Sequence, residues 1–497
     1  MLFNSYQFLC LFLPVTLIVF FALGRVDRVW AAGWLALASL VFYGYWSVKY
    51  IPLLLGSVIF NFVCGQALSR RASSPQGRQL LIGSIAADLL LLGFYKYANF
   101  FLTSMNDIAG TQLPALTIVL PIGISFFTFT QIAFLVDAYR GIAREYSFTH
   151  YLLFATYFPH LIAGPILHHA EIMPQFESPA PYRFSSRSFA IGMTVLTIGL
   201  AKKILVADHF GVTASRVFDA AHAGVSIPLA AAWVGVFSYS FQLYFDFSGY
   251  TDMAIGISRL FGIDLPINFY SPYKSASIIE FWQRWHMTLS RFLRDYLYIP
   301  MGGNRKGLFR RYLNLMVTML LGGLWHGANY TFVLWGGLHG LYLVVNHAWR
   351  SLPRRARNVD AVPAIRVASA MFANRAATFL CVSVAWVFFR ANDLGAASNL
   401  LRGMLGMSGL TVHPHSGATQ QLLVRSLPEF AAVFLAAGVL VWAMPNTRQI
   451  TDRLGRALDD PAAHVFYLRI VPATAGVLLA LAVLEMRQIS SFLYFQF

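Results

Sequence analysis

The chain has 497 residues, of which 57% are hydrophobic, 15% aromatic and only 12% charged. A soluble domain carries about 25% charged residues, so this composition cannot coat a water-facing surface and excludes a soluble globular enzyme. The net charge of +16 comes from basic residues in short links, such as Arg70-Arg71, Lys202-Lys203, Arg310-Arg311 and Arg350 to Arg357; that is the pattern of cytoplasmic loops, and no soluble basic domain exists to carry nucleic acid.

Apolar runs of about 18 residues recur from end to end, the length that crosses a hydrocarbon core of about 30 Å. They do not alternate as the strands of a membrane barrel would. The fold class is therefore all-α, a polytopic integral membrane protein of roughly eleven or twelve spans in contact with membrane lipids. Cys10, Cys64 and Cys381 stand singly in apolar segments, with no metal-ligand or redox spacing. Neither a metal site nor a bound cofactor is expected.

Phe8–Leu23, Trp30–Trp46, Ile51–Leu68 and Leu80–Tyr97 read as the first four spans. The first has no basic residue ahead of it and no small-residue cleavage site, and reads as a retained span rather than a signal peptide. Asp88 lies inside the fourth, an expensive placement that needs a partner or water. Lys96, near its end, can snorkel to the interface. In Leu116–Tyr139, Pro121 and Gly123 predict a break or re-entrant turn, tolerated only where protein or a cavity surrounds it. Tyr151–Leu167 is another interrupted helix, with His160 inside. Glu171 to Arg187 reads as an interfacial loop.

Phe189–Val206 and Leu229–Phe247 are further spans, the second ending near Asp246 and Asp252. Asp264 to Tyr273 is a loop. Ile278–Ile299 has a helical pattern too charged to span. Glu280 with Arg284, and Arg291 with Asp295, are (i, i+4) pairs that support one face. Tyr312–Trp325, Phe332–Val345, Ala376–Phe389, Phe430–Trp442 and Ile470–Leu484 are the remaining spans, with a long loop from Gly403 to Ser426. The chain closes on an aromatic tail, Phe492-Leu493-Tyr494-Phe495-Gln496-Phe497. Such a tail is costly to leave in water and is expected to be buried in the protein or the interface.

Several motifs resemble the membrane-bound O-acyltransferase family, closest to the bacterial branch that contains the alginate O-acetyltransferase membrane subunit. They include Tyr95 to Phe100, Leu120 to Phe126, Phe158 to Pro165, Gln242 to Tyr250, Glu280 to His286, Asp295 to Ile299, Gly302 to Gly307 and Leu321 to Asn329. The resemblance covers most of the chain and weakens after about Asn392, except in the tail. It implies a single transmembrane domain over 1–497: N-terminal helices (1–115), a catalytic core (116–350), C-terminal helices (351–489) and the tail (490–497). It also implies a multi-pass protein of the bacterial inner membrane, with the acyl donor, acetyl-CoA, entering from the cytoplasm. The expected setting is a polysaccharide synthesis and export complex, beside a periplasmic partner of the SGNH-hydrolase type. The family's most invariant histidine maps onto His326 and its second polar position onto His286.

Acyl transfer needs a base to activate a hydroxyl and donors to stabilise the tetrahedral oxyanion. Histidine can take a proton near neutrality, which suits His326 to the base and His286 to positioning the hydroxyl or sharing the proton. The competing reading of each is a packing histidine, and for His339 and His160 that reading is preferred. Asp246, Asp252, Arg284, Asp295 and Asn329 are supporting polar candidates. The two aspartates could orient a histidine or pair with Arg284, Arg291 or Arg294, and Asn329 is more simply a packing residue. Arg305 and Lys306 could meet donor phosphates or belong to a plain positive-inside loop. Tyr494 is a candidate acyl relay. A phenol, with pKa of about 10, is nearly as good a leaving group as a thiol at about 8.5, so a phenyl ester keeps much of a thioester's transfer potential. The alternative for the tail is an interfacial anchor. Competing functions are D-alanyl transfer from a carrier protein to teichoic acid, a transporter built on broken helices, and a non-catalytic scaffold.

Overall fold

The computed structural model describes residues 1–145, 147–352, 364–410, 427–460, 462, 465–486 and 492–493. Among them there is no strand, and the chain is an all-α membrane protein. Among the described residues, six helical stretches are long and apolar enough to cross a bilayer: Gln7–Gly24, Val48–Arg70, Pro75–Ala109, Ser186–His222, Ile365–Arg390 and Val465–Glu485. Three shorter apolar helices, Arg28–Gly44, Ile124–Tyr139 and Val433–Ala443, accompany them.

The helices form two compact units. The first comprises Met1–Lys202, Phe247–Ile267 and the described residues from Thr447 onward. It holds α1 (Leu13–Gly24), α2 (Arg28–Gly44), α3 (Ile51–Arg70), α4 (Pro75–Ala109), α5 (Ile124–Tyr139), α6 (Phe148–Thr156), α7 (Phe158–Leu161), α8 (His169–Glu177) and α9 (Ser186–Ala201). The second unit, Lys203–Asp246 and Asn268–Asn446, contains α10 (Asp208–His222) and the first half of α11 (Leu229–Leu260). It continues with α12 (Ile278–Arg284), α13 (Met287–Leu293), α14 (Gly307–His326), α15 (Tyr330–Ser351), α16 (Ala364–Arg390), α17 (Leu394–Met404) and α18 (Leu427–Gly438). The second half of α11, α19 (Thr447–Asp459) and α20 (Val465–Glu485) return to the first unit.

Local sequence sets many boundaries. Ser74, Ser147 and Ser185 cap α4, α6 and α9 by accepting backbone N–H groups, which satisfies donors a helix start leaves open. The expected break near Pro121 is present: α5 starts only at Ile124, after Gly123 in the left-handed conformation. The interruption around Pro159 splits α6 from α7. Some expectations fail. The stretch from Glu171 is not a plain loop but carries α8, and α10, α17 and α19 lie where no helix was expected. α19 is strongly amphipathic and polar on average, so a search for apolar runs passes over it. α11 extends 32 residues, so Asp246 and Asp252 sit within the helix rather than at its end.

The first unit answers the cost of Asp88. Asn61 on α3 donates through Nδ2 to Asp88 Oδ1 at 2.9 Å and to Gln131 Oε1 at 3.0 Å, and the Ser57 hydroxyl donates to the same Gln131 oxygen at 2.7 Å. Three helices thus share one buried polar cluster, as membrane interiors require of ionisable groups. α4 runs well past Lys96, whose Nζ points to the Ser125 hydroxyl at 3.5 Å rather than along a short path to the interface. The tail is described only at Phe492 and Leu493. Both are buried, and Phe492 meets the Tyr250 ring edge-on at 4.4 Å between centroids.

Two local features of the second unit set the stage for chemistry. The segment expected as one helix over Ile278–Ile299 is broken at His286, which adopts φ 43° and ψ 54° between α12 and α13. Further on, α14 and α15 are joined by only Gly327, Ala328 and Asn329, so they pack as antiparallel neighbours. Their contact is backbone to backbone. A Cβ at Gly336 would overlap the Met319 carbonyl oxygen, and one at Gly323 would overlap the Phe332 carbonyl oxygen and lie 3.1 Å from Gly336 Cα. Small residues of this kind let membrane helices approach closely. At Gly337 a Cβ would make only an ordinary 3.5 Å contact with Leu320. Gly336→Ala is therefore expected to destabilise the protein by about 1–3 kcal/mol through overpacking. Gly337→Ala should be neutral or stabilising, by up to about 1 kcal/mol, because alanine is the better helix former. Melting curves of the two variants in the same detergent would check this ordering.

Candidate active site

The second unit brings His326 and His286 together. His326 is the last residue of α14, and the ring centroids of the two histidines lie 6.4 Å apart. Both are buried, at 4% and 0% exposure. The α14 terminus is sharp because Gly327 follows in extended backbone, and a side chain there would collide with the Phe332 ring. His326 is walled by aromatic rings, with centroids of Trp325 at 4.9 Å and of Trp335 and Phe389 each at 5.1 Å.

His286 is fixed from the other side. Its Nδ1 lies 3.1 Å from Asn268 Oδ1, and the same oxygen accepts from the Thr288 backbone N–H at 3.2 Å and the Thr288 hydroxyl at 3.0 Å. With Thr288 donating to it, that atom is the amide oxygen, so His286 Nδ1 carries the hydrogen and Nε2 is the basic nitrogen. The left-handed backbone of His286 stores strain, of order 1–3 kcal/mol for such a residue. It is held by the Met287 N–H, which donates to the Asn268 carbonyl at 2.9 Å. Asn268 thus clamps both side chain and backbone, and the sequence reading missed it. The only signal was a polar residue in a loop otherwise rich in proline and aromatics.

The supporting candidates scatter. Asp246 pairs with Lys203 at 2.7 Å, and Lys203 also reaches Asp208 at 2.8 Å. Asp252, in the first unit, pairs with Lys202 at 2.6 Å and accepts from the Thr447 hydroxyl at 2.6 Å. Their partners here are two adjacent lysines rather than the arginines considered from the sequence. Arg284 holds Glu280 at 2.6 Å, as the (i, i+4) spacing predicts, and lies over the Tyr270 ring. Asp295 takes two hydrogen bonds from its neighbour Arg294, at 2.7 and 3.1 Å, and this pairing raises the guanidinium pKa above its ordinary value. Asn329 caps α15 by accepting from the Thr331 N–H at 3.0 Å and donates to the Asn392 carbonyl at 2.9 Å. Its role is to start the helix.

Arg305 and Lys306 are exposed in the turn that precedes α14. They stand at the opposite end of that helix from His326, roughly 30 Å away for 20 residues at 1.5 Å each. Tyr494 lies outside the described residues. His160, in the first unit, donates to the Phe154 carbonyl at 2.9 Å. His339 accepts from the Trp282 indole N–H at 3.2 Å.

Among the described residues, one group places possible metal-ligand atoms within 4.8 Å of one another: Glu145, His150 and Glu177, in the first unit. Glu145 is already engaged. Burial would raise its pKa, but bonds from His169 and the Ser147 N–H bring it below the usual carboxylate range.

Comparison with known proteins fits this arrangement. Residues 29–386 match the sequence model of the membrane-bound O-acyltransferase family. A peptidoglycan O-acetyltransferase of Helicobacter pylori is 42% identical over 86% of this chain and 84% of its own. A probable alginate O-acetylase, AlgI, of Azotobacter vinelandii is 37% identical over the full length of both. A teichoic acid D-alanyltransferase of Streptococcus thermophilus is 28% identical over 46% of this chain and 57% of its own. With the family's sequence running through α2 to α16, and relatives at 37–42% identity over most of its length, this chain belongs to the membrane-bound O-acyltransferases and is an O-acyltransferase.

Proposed function

We propose that the protein is the membrane subunit of an O-acetylation system in the bacterial inner membrane. It takes acetyl from acetyl-CoA on the cytoplasmic side and passes it outward for O-acetylation of an exported polysaccharide. The observation that carries this reading is the buried pair of His326 and His286, 6.4 Å apart between ring centroids, in a chain whose relatives at 37–42% identity are O-acetylases of alginate and peptidoglycan.

His326 acts as general base. It takes the proton of the accepting hydroxyl, whose oxygen attacks the thioester carbonyl, and returns a proton to the departing thiolate. His286, with Nδ1–H committed to Asn268, offers Nε2 to position that hydroxyl. Arg305 and Lys306, a helix length away, meet donor phosphates at the mouth of the path rather than beside the thioester. Tyr494 accepts the acetyl group as a phenyl ester and gives it to a periplasmic partner of the SGNH type, which sets it on the polymer. D-alanyl transfer is the second reading, supported by the lower-identity teichoic acid relatives.

The test uses purified protein in nanodiscs with radiolabelled acetyl-CoA. Wild type is expected to release thiol, and His326→Ala to lose this by about a hundredfold or more. No release by wild type, with a charged D-alanyl carrier active in its place, would establish the second reading. Asn268→Ala removes the acceptor that orients His286. It should slow release about tenfold to a hundredfold, the rate equivalent of roughly 1–3 kcal/mol for a lost buried hydrogen bond. The KM for acetyl-CoA should be unchanged. For the relay, covalent label should appear on wild type and vanish in Tyr494→Phe; label of equal amount in both would exclude Tyr494 as the carrier.

A further inference from the structure

Among the described residues, two hydrogen-bond donors on α15, one of them on a ring packed against His326, have no acceptor. His339 lies one helical turn beyond Trp335 on α15, on the same face. Its Nδ1 accepts the Trp282 indole N–H at 3.2 Å. An imidazole nitrogen can accept only through a lone pair, so the ring is neutral and its hydrogen is on Nε2. That Nε2–H finds no acceptor among the described residues, and neither does the indole N–H of Trp335. The two side chains are 0% and 1% exposed. Buried donors are nearly always satisfied, and each exception calls for an explanation. Two exceptions on adjacent turns of one helix, with ring centroids 4.9 Å apart, call for a common one.

Packing holds both rings where they are. Trp335 stacks on Trp386 at 5.7 Å and 16°, and His339 stacks on Phe281 at 6.0 Å and 11°. Neither ring can swing away in search of a partner. Trp335 in turn meets His326 edge-on at 5.1 Å and 90°. Fixed donors in a water-poor site, next to a base, are what a developing oxyanion requires.

We propose that Trp335 Nε1–H and His339 Nε2–H receive the carbonyl oxygen of the acyl group during transfer at His326. This rests on the acyl-transfer reading above. When the hydroxyl oxygen, its proton taken by His326, bonds to the carbonyl carbon, the C=O π pair moves onto the carbonyl oxygen. The two N–H groups hold that oxygen by hydrogen bonds and keep their own protons. The pair then returns, the C–S bond breaks, and the thiolate takes the proton from His326. Trp282 is a positioning residue, because its N–H fixes which nitrogen of His339 carries the hydrogen.

The experiment compares wild type, Trp335→Phe, His339→Leu and His339→Gln in nanodiscs, with acetyl-CoA as the probe. Trp335→Phe and His339→Leu should each lower kcat for thiol release by about a hundredfold to a thousandfold, the range for a lost oxyanion donor. Their KM should stay within about twofold. His339→Gln, which can both accept from Trp282 and donate onward, should recover much of the loss. A second measurement is independent of turnover. The carbonyl of bound, isotopically labelled S-acetonyl-CoA, an unreactive ketone, should absorb at lower infrared frequency in wild type than in water-free solvent. Trp335→Phe and His339→Leu should return it towards the free value. An active wild type with unaltered kcat in both variants, or one carbonyl band common to all four proteins, would overturn the inference alone. A wild type that neither releases thiol nor binds the ketone would remove the acetyl-CoA reading, and this inference with it.

Discussion

Where α14 meets α15 there is no room for a side chain at Gly323 or Gly336. The two helices approach until the backbone of one lies against the backbone of the other, and that approach sets the Trp335 ring against His326. His326 ends the first helix, while Trp335 and His339 come from the second. In water such a contact would be one of many ways to bury apolar surface. In a protein solvated by lipid, whose tails are as apolar as leucine, close packing of this kind is what holds neighbouring helices together.

The same solvent explains how polar groups are treated elsewhere. Asp88 shares Asn61 with Gln131, Asp246 and Asp252 are each matched to a lysine, and Asn268 gathers three donors on one oxygen. An unpaired charge in this setting is more costly than the geometry needed to pair it. Against that background the N–H groups of Trp335 and His339 are among the buried polar groups that meet no partner within the described residues. The strained backbone of His286 likewise marks a place where the local rules give way.

Much of the fold was legible because apolar length and helix punctuation are local properties. The apolar helices α1 to α4, the break before Ile124 and the interruption at Pro159 follow from run length, Pro121-Ile122-Gly123 and the proline's missing N–H. What escaped is tertiary. α10 and α19 are too polar to register as spans, and nothing local shows that they pack. The break at His286 was invisible because Glu280 and Arg284 support a helix and no glycine or proline marks its end; Asn268, 18 residues earlier, makes the break. The histidine pair was legible only through resemblance. Forty residues separate His286 from His326, and no spacing rule brings them together. The lysine partners of Asp246 and Asp252 were missed because basic residues near span ends read first as topology signals.

One helix also sets a problem of distance. α14 begins beside the basic turn at Arg305 and Lys306 and ends at His326, and its length is close to the thickness of a bilayer's hydrocarbon core. On the donor path proposed above, an acyl group that enters beside the turn travels the length of that helix before it can react, and variants that narrow the way in would slow turnover without touching any group that forms or breaks a bond.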